Sequence, residues 1–297
     1  MADSWLDRVV RGQEWLDPVG RGLQVSVRRG FSLLGSPGGA LRDLLHGSRG
    51  LGHPLHPAVT DLPLGAWAAG AVLDYVAHFT STVGTRAGDV ALAVGLLVSL
   101  AAVATGLTDS EDTFGHELRV NVLHGLNMGL AEVLMAASLG LRWWAPLSWH
   151  PLALGLSTAG LAVAMAGMYV GGHLTFGIGT MVNRTAFVSG PTEFAPVGVA
   201  ADFPEGALRR VEAAGMDVVV ARCQGRLHAL GGVCSHAGGP LAQGALDGTV
   251  VTCPWHGSQF DLRTGEVRRG PATFPQPRLT VRERDGVVEA HLDHPIP

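Results

Sequence analysis

The stretch 234-CSHAGGPLAQGALDGTVVTCPWHGSQF-260 decides how the C-terminal part of this chain is read. It holds two Cys-His pairs, Cys234-Ser235-His236 and Cys253-Pro254-Trp255-His256, with sixteen residues between His236 and Cys253. Two thiolates and two imidazoles on two loops make a complete ligand set for one metal centre. Zinc accepts the same donors, but its ligand pairs usually keep about two to four residues between the first two ligands. Here one residue separates Cys234 from His236. A [2Fe-2S] cluster with cysteines on one iron and histidines on the other takes the pairs as they stand. Gly238-Gly239-Pro240 after the first pair and Gly257 after the second supply the bends that such loops need.

The segments CSHAGGPLAQG and CPWHGSQFDLRTGEV, followed by the proline-rich return GPATFPQPRL, resemble the two cluster loops and the third loop of the Rieske [2Fe-2S] family. The resemblance covers roughly residues 192–294 and implies an all-β domain. It assigns Cys234 and Cys253 to the inner iron and His236 and His256 to the outer, more exposed one, with Gly238, Gly257 and Ser258 around the cluster. Quinol-oxidising members carry an extra cysteine in each loop. This chain has Ala237, Gly238 and Trp255 there, so no loop disulfide forms. Ser258 keeps one of that type's hydroxyl donors, while Phe260 stands where a tyrosine would supply the other. Fewer donors stabilise the reduced cluster less, so the expected potential lies below the top of the Rieske range, as in ferredoxin-type modules. Trp255 and Phe260 read as packing residues.

The other half is bounded by composition: 47% apolar residues, 15% charged and 42 glycines, too apolar for an ordinary soluble domain. All 21 basic residues are arginine, and the third cysteine, Cys223, sits in an expected strand without a partner. Two cysteines committed to iron leave no intrachain disulfide, which fits a reducing compartment. Four apolar segments, near 62–81, 87–107, 120–141 and 151–170, are each about 20 residues, the length that crosses the hydrocarbon layer as a helix. Small residues such as Gly65, Ala69 and Ala71 allow close helix contact.

The expected organisation is therefore multidomain. Residues 1–50 form an amphipathic segment, with Trp5, Leu6, Val9 and Val10 at helical spacing, lying on the membrane surface or packed on the bundle. Residues 51–175 form an all-α four-helix transmembrane bundle, 176–191 a linker, and 192–297 the all-β Rieske domain.

Sidedness follows from arginines near the span ends. Arg8, Arg11, Arg21, Arg28, Arg29, Arg42, Arg49, Arg119 and Arg184 fall on one face, Arg86 and Arg142 on the other. Nine against two places both termini and the Rieske domain in the cytoplasm. The alternative is export, since Arg28-Arg29-Gly30-Phe31 has the paired arginines of a twin-arginine signal, but the following SLLGSPGGALRDLL lacks its apolar stretch.

His53, His56, His116, His124 and His173 all fall at span ends on the Rieske side, and His78 and His150 on the other. Two imidazoles on neighbouring helices can ligate a haem iron axially. His56 and His124 are the candidate pair for haem b, with a quinone as the other candidate ligand and an interfacial structural role as the plain alternative. Asp74 and Glu132, carboxylates inside spans, are expected to relay protons or to hydrogen-bond to Asn127 or His124 on another helix.

Residues 40–185 resemble a bacterial family of four-helix membrane domains of unknown function, through HPLHPAVTDLPLGAW with Asp74, ATGLTDSED, NVLHGLNMG and GGHLTFGIGT. That family is sometimes joined to a Rieske module, and the match supplies architecture without a substrate.

The expected function is a membrane-anchored electron carrier working with a redox partner protein, an oxidoreductase component without its own substrate site; the alternative is a redox sensor. A Rieske oxygenase would need a second iron held by two histidines and a carboxylate, for which the tail offers only His291, Asp293 and His294. Nothing in the composition suggests a nucleic-acid partner, and ten arginines against twelve acids in the Rieske half give no charge hint about the redox partner.

Overall fold

A computed structural model describes residues 4–48, 50–80 and 86–293; Arg49 and His294 lie outside the described residues. The chain forms two compact units, one of Met1–Gly38 with Leu55–Thr180, the other of Gly39–Pro54 with Met181–Pro297. The first is helical and the second carries all the strands, so the expected pairing of an α-helical N-terminal part with an all-β C-terminal domain is what the chain adopts.

The helices are α1 (Trp5–Arg11), α2 (Leu16–Leu33), α3 (Ser36–His46), α4 (Leu55–Thr80), α5 (Arg86–Asp109), α6 (Gly115–Trp144) and α7 (His150–Gly172), the last continuing into a π-helical turn, His173–Ile178. Ser4 caps α1 in a capping box with Asp7. Leu6 and Val10 are buried in a cluster with Leu16, Leu118, Val120, Val122, Val170 and Leu174, so the apolar side of α1 packs on α6 and α7. Asp7 Oδ1 is a second tie, lying 2.7 Å from His116 Nε2 and 2.9 Å from His173 Nε2. Arg28, of the paired arginines, lies within α2 and donates to the Glu111 carbonyl at 2.5 Å.

Three stretches, Arg86–Asp112, Gly115–Trp144 and Leu147–Ile178, are long and apolar enough to cross a membrane. The first of the four expected spans also lies in a helix, α4, but it does not join these three. Its 26 residues include Asp61, Asp74 and His78, which lower its hydropathy.

The carboxylates inside the bundle are held otherwise than expected. Asp74 accepts two hydrogen bonds from Arg142, at 2.8 and 2.7 Å, and Arg142 also reaches Asp89 at 3.1 Å and Ser157 at 2.9 Å. A carboxylate removed from water needs a cation in reach, and Arg142, itself buried, supplies it. Asn127 donates to Leu123 within its own helix, His124 bonds to the Gly167 carbonyl, and Glu132 pairs with Ser99.

The hairpins α4–α5 and α6–α7 repeat one another. Asp74 and Arg142 are 68 residues apart, and so are Trp67 and Met135, both in the bundle core. Gly95 and Gly160 are 65 residues apart. A methyl built on Gly95 would stand 3.2 Å from the Pro63 carbonyl oxygen, and one on Gly160 would stand 3.3 Å from that of Ala131. Pro63 and Ala131 again differ by 68, so the same close helix crossing occurs twice.

The β unit has two antiparallel sheets. One is ordered β1-β10-β9-β4-β3-β2 and the other β5-β6-β7-β8, from β1 (Ala195–Val199), β2 (Leu208–Ala213), β3 (Met216–Cys223), β4 (Arg226–Gly231), β5 (Ala245–Asp247), β6 (Val250–Thr252), β7 (Gln259–Asp261), β8 (Val267–Arg269), β9 (Arg278–Arg284) and β10 (Val287–Leu292). The valine run of β3 fills the centre of the unit. The β2–β3, β3–β4 and β9–β10 hairpins turn on Ala214-Gly215, Gln224-Gly225 and Asp285-Gly286, each with both residues at positive φ. That conformation matches the twist of the flanking strands, and glycine adopts it without steric cost.

Candidate metal centre

Both Cys-His pairs lie on loops entering or leaving the small sheet. The first loop joins β4 to β5, and the second joins β6 to β7. The loops are built alike. Gly238 N–H donates to the Cys234 carbonyl at 2.9 Å, and Gly257 N–H to the Cys253 carbonyl at 3.1 Å. Cys234 N–H donates to the Gly239 carbonyl and Cys253 N–H to that of Ser258, both at 2.8 Å. Gly238 and Gly257 take φ of 84° and 74°, a left-handed turn that brings each histidine back beside its cysteine.

The loops bring their donors together in like pairs. His236 and His256 meet edge to face, with Nδ1 atoms 3.2 Å apart and ring centroids 4.9 Å apart. Two nitrogens on one metal at bonds of about 2.0–2.1 Å and a near-tetrahedral angle stand roughly 3.3–3.4 Å apart, so the two Nδ1 atoms are spaced for one iron. Cys234 and Cys253 are buried, and their side chains lie within hydrogen-bonding reach of each other. That contact holds Cys253 low and Cys234 high, and the backbone N–H groups of Trp255 and His256 on Cys253 add to the first effect. Backbone N–H groups of His236 and Ala237 aim at the Cys234 sulfur. Burial, with His256 and then His46 nearby, pushes His236 down to about 3, and burial also lowers His256. Burial thus disfavours the charged form of both rings, and ligation needs them neutral.

Among the described residues, no three His, Cys, Asp or Glu side chains converge where a single ion could sit. Tetrahedral zinc would need all four donors around one point. A two-iron cluster takes them as a thiolate pair and an imidazole pair, which is how they lie.

The third loop, between β8 and β9, braces the other two. Ser235 Oγ donates to the Phe274 carbonyl at 2.8 Å, Gln276 Nε2 donates to that of Val233 at 3.1 Å, and Ala272 N–H donates to Ser258 Oγ at 3.0 Å. Ser258 thus accepts a bond from that loop, with its own proton left to donate. Gly239 escaped the sequence reading as more than a bend. A methyl there would stand 2.7 Å from the Cys253 sulfur and 3.1 Å from the Trp255 ring, so the position must be bare. Phe260 is fully buried in the core, while Trp255 is 56% exposed, lying over Gly239 and beside His256. Cys223 is buried in β3.

Of the tail residues, the described ones, His291 and Asp293, are engaged elsewhere. His291 is in β10, its ring 5.5 Å from that of Phe194, and Asp293 accepts bonds from Arg278 and Thr280. In the helical unit, Asp7 takes up His116 and His173, whereas His56 and His124 face each other with ring centroids 6.3 Å apart and planes at 80°. A comparison of the helical half with itself at an offset of 68 would have paired these two from the sequence.

Residues 193–281 match the family described as Rieske [2Fe-2S] domain, and residues 52–184 match "Predicted membrane protein (DUF2231)". Among curated proteins, apoptosis-inducing factor 3 of Mus musculus is 40% identical over 70 residues, 24% of this chain and 12% of that protein. Ferredoxin CarAc of Metapseudomonas resinovorans is 34% identical over 93 residues, 31% of this chain and 87% of the ferredoxin. This chain thus spans only a small part of the first of these and most of the second. Among solved structures, a complex of reduced oxygenase and oxidized ferredoxin in carbazole 1,9a-dioxygenase includes a chain 30% identical, with a TM-score of 0.34, covering 36% of this chain and 99% of that one.

Proposed function

Because this chain belongs to the Rieske [2Fe-2S] family and bears a DUF2231 membrane domain before its Rieske domain, we propose that it is a membrane-anchored electron carrier, a redox component without a substrate site of its own. The observation that carries this reading is the pairing of the donors, Nδ1 of His236 and His256 at 3.2 Å and two buried thiols beside each other. In it, Cys234 and Cys253 would hold one iron of the cluster, and His236 and His256 would hold the other. The bound cluster supplies reversible one-electron chemistry. The chain supplies backbone N–H groups that stabilise thiolate charge, a bare Gly239 beside the Cys253 sulfur, and two part-buried imidazoles that leave an edge near solvent.

In this reading α4 joins the three apolar helices to form a four-helix anchor in the bacterial cell membrane, with both termini and the Rieske domain cytoplasmic. The arginine distribution supports that orientation. The exchange partner is a redox protein, as the ferredoxin relatives are in the dioxygenase systems their names give, and the helical unit houses a second redox group, a haem or a quinone. Detergent-purified protein should contain iron and sulfide and give a Rieske-type paramagnetic resonance signal on reduction; protein with neither would overturn the proposal. Fractionation of cells should leave the protein in the membrane pellet after a high-salt wash.

A further inference from the structure

Each of the two facing histidines is tied by the same device. His56 Nδ1 lies 2.9 Å from the Ala102 carbonyl oxygen on α5, and His124 Nδ1 lies 2.8 Å from the Gly167 carbonyl oxygen on α7. A carbonyl only accepts, so each Nδ1 carries the proton and each Nε2 has a free lone pair. Neither Nε2 has a hydrogen-bond partner among the described residues. Four residues past each carbonyl stands a glycine against which the ring is laid. A methyl on Gly106 would be 2.8 Å from His56 Cε1, and one on Gly171 would be 2.9 Å from His124 Cε1. His56 and His124 keep the 68-residue spacing of Asp74 and Arg142, and Gly106 and Gly171 keep the 65-residue spacing of Gly95 and Gly160. The two rings therefore come from equivalent places in the two hairpins and meet on the axis that relates them. A repeat related by an axis along the membrane normal is a recurring plan in membrane domains.

The spacing is that of two ligands on one metal. A five-membered ring built on bonds of about 1.33 Å has its atoms roughly 1.1 Å from its centre. With metal–nitrogen bonds of about 2.0–2.1 Å, linear ligation then puts two ring centroids roughly 6.3–6.5 Å apart, against 6.3 Å observed. No third His, Cys, Asp or Glu completes a set for a bare ion among the described residues. A porphyrin supplies the four equatorial nitrogens that the protein does not. A carbonyl on the far ring nitrogen is how axial histidines are oriented and made more basic.

We propose that Nε2 of His56 and Nε2 of His124 are the two axial ligands of one b-type haem, seated on the pseudo-twofold axis of the helical unit. This deepens the reading of the chain as an electron carrier and rests on that reading only for its role, because the site is independent of the cluster.

The test uses the full chain, expressed with haem precursor and purified in detergent. Reduced-minus-oxidised visible spectra and a pyridine haemochrome assay should give one haem b per chain. The oxidised haem should show the strongly anisotropic low-spin resonance of nearly perpendicular imidazoles. His56→Ala and His124→Ala should each lose the haem and keep the Rieske signal. His56→Met, which retains an axial ligand, should keep the haem at a higher midpoint potential, so that misfolding of the alanine variants does not decide the matter. Haem-free protein that still gives the Rieske signal would overturn this site and leave the proposed function standing. Haem without the Rieske signal would do the reverse. Full haem occupancy in both alanine variants, or a non-haem metal lost from them on elemental analysis, would also overturn the assignment.

Discussion

Arg142 closes on Asp74 with two hydrogen bonds from a place 68 residues further along the chain, the spacing that also separates His56 from His124. Equivalent positions of the two hairpins thus hold unlike charges at one level and like imidazoles at another. The levels are 18 residues apart on both α4 and α6, about 27 Å of helix at 1.5 Å per residue. An ion pair on the axis binds the two hairpins to each other, and it must carry opposite charges because two copies of either one would repel.

Arg142→Met should therefore destabilise the helical unit more than Asp74→Asn. The first leaves Asp74 and Asp89 both without their cation, with side chains only 10% and 13% exposed. The second still leaves Arg142 paired with Asp89. Breaking a buried pair from one side costs about 3–5 kcal/mol, and we expect Arg142→Met in that range and Asp74→Asn at roughly half of it. Thermal unfolding in detergent, followed by circular dichroism, measures the order. Equal losses would show that Asp89 contributes nothing.

Gly239→Ala should lower cluster occupancy without unfolding the β unit, since a methyl there stands 2.7 Å from the Cys253 sulfur. The loop has to shift, and the sulfur with it. By contrast, Gly248→Ala, where nothing lies within 4 Å, should leave occupancy unchanged despite its positive φ. Iron content per chain, together with the Rieske signal, distinguishes the two. Cys234→Ser and Cys253→Ser should each abolish the signal.

The β unit was legible because its chemistry is local: each Cys-His pair and its glycine bend sit within a few residues, and the donor types name the centre. Three apolar helices were legible from apolar runs for the same reason, while α4, with its acidic residues, falls short of them. What the sequence did not yield depends on which residues meet across helices. The spans suggest a proton relay or a neutral partner, Asn127 or His124, for Asp74, whereas its partner is Arg142, an arginine near the end of a span. The histidines were hard to rank for a similar reason. His116 and His173 stand out in sequence as much as His56 and His124, and only the fold shows that Asp7 occupies the first two. The signal present in the sequence was the repeat, weak in residue identity and visible only at a fixed offset.

Ser258→Ala tests how the cluster potential is set. The hydroxyl is fully buried and accepts from the Ala272 amide at 3.0 Å, which leaves one proton to donate towards the cluster. A donor to the cluster stabilises its reduced form, so the variant should keep the Rieske signal at a lower midpoint potential. Redox titration monitored by paramagnetic resonance reads the shift. An unchanged potential would mean that Ser258 only braces the third loop.

Asp261 should make the β unit sensitive to acid. Its carboxylate is 1% exposed and takes 2.7 Å and 2.6 Å bonds from Arg263 and Arg268, with the Arg263 amide at 2.9 Å. The hydrogen bond from Arg263, then that from Arg268, holds it well below the usual carboxylate range, against burial acting the other way. A depressed native value means that the stabilisation is fully present above the unfolded value of about 3.9 and is lost as the pH falls from there through the native value. Asp261→Asn should cost about 1–3 kcal/mol at neutral pH, in the range for hydrogen bonds to charged groups whose partners are half exposed, and the gap between variant and parent should close as the pH drops below 4. Urea unfolding of the full chain in detergent, followed through the near-ultraviolet signal of Trp255 and its neighbours at pH 7 and pH 3, gives both numbers. A difference that persists undiminished at pH 3 would mean that Asp261 acts through its shape and not its charge.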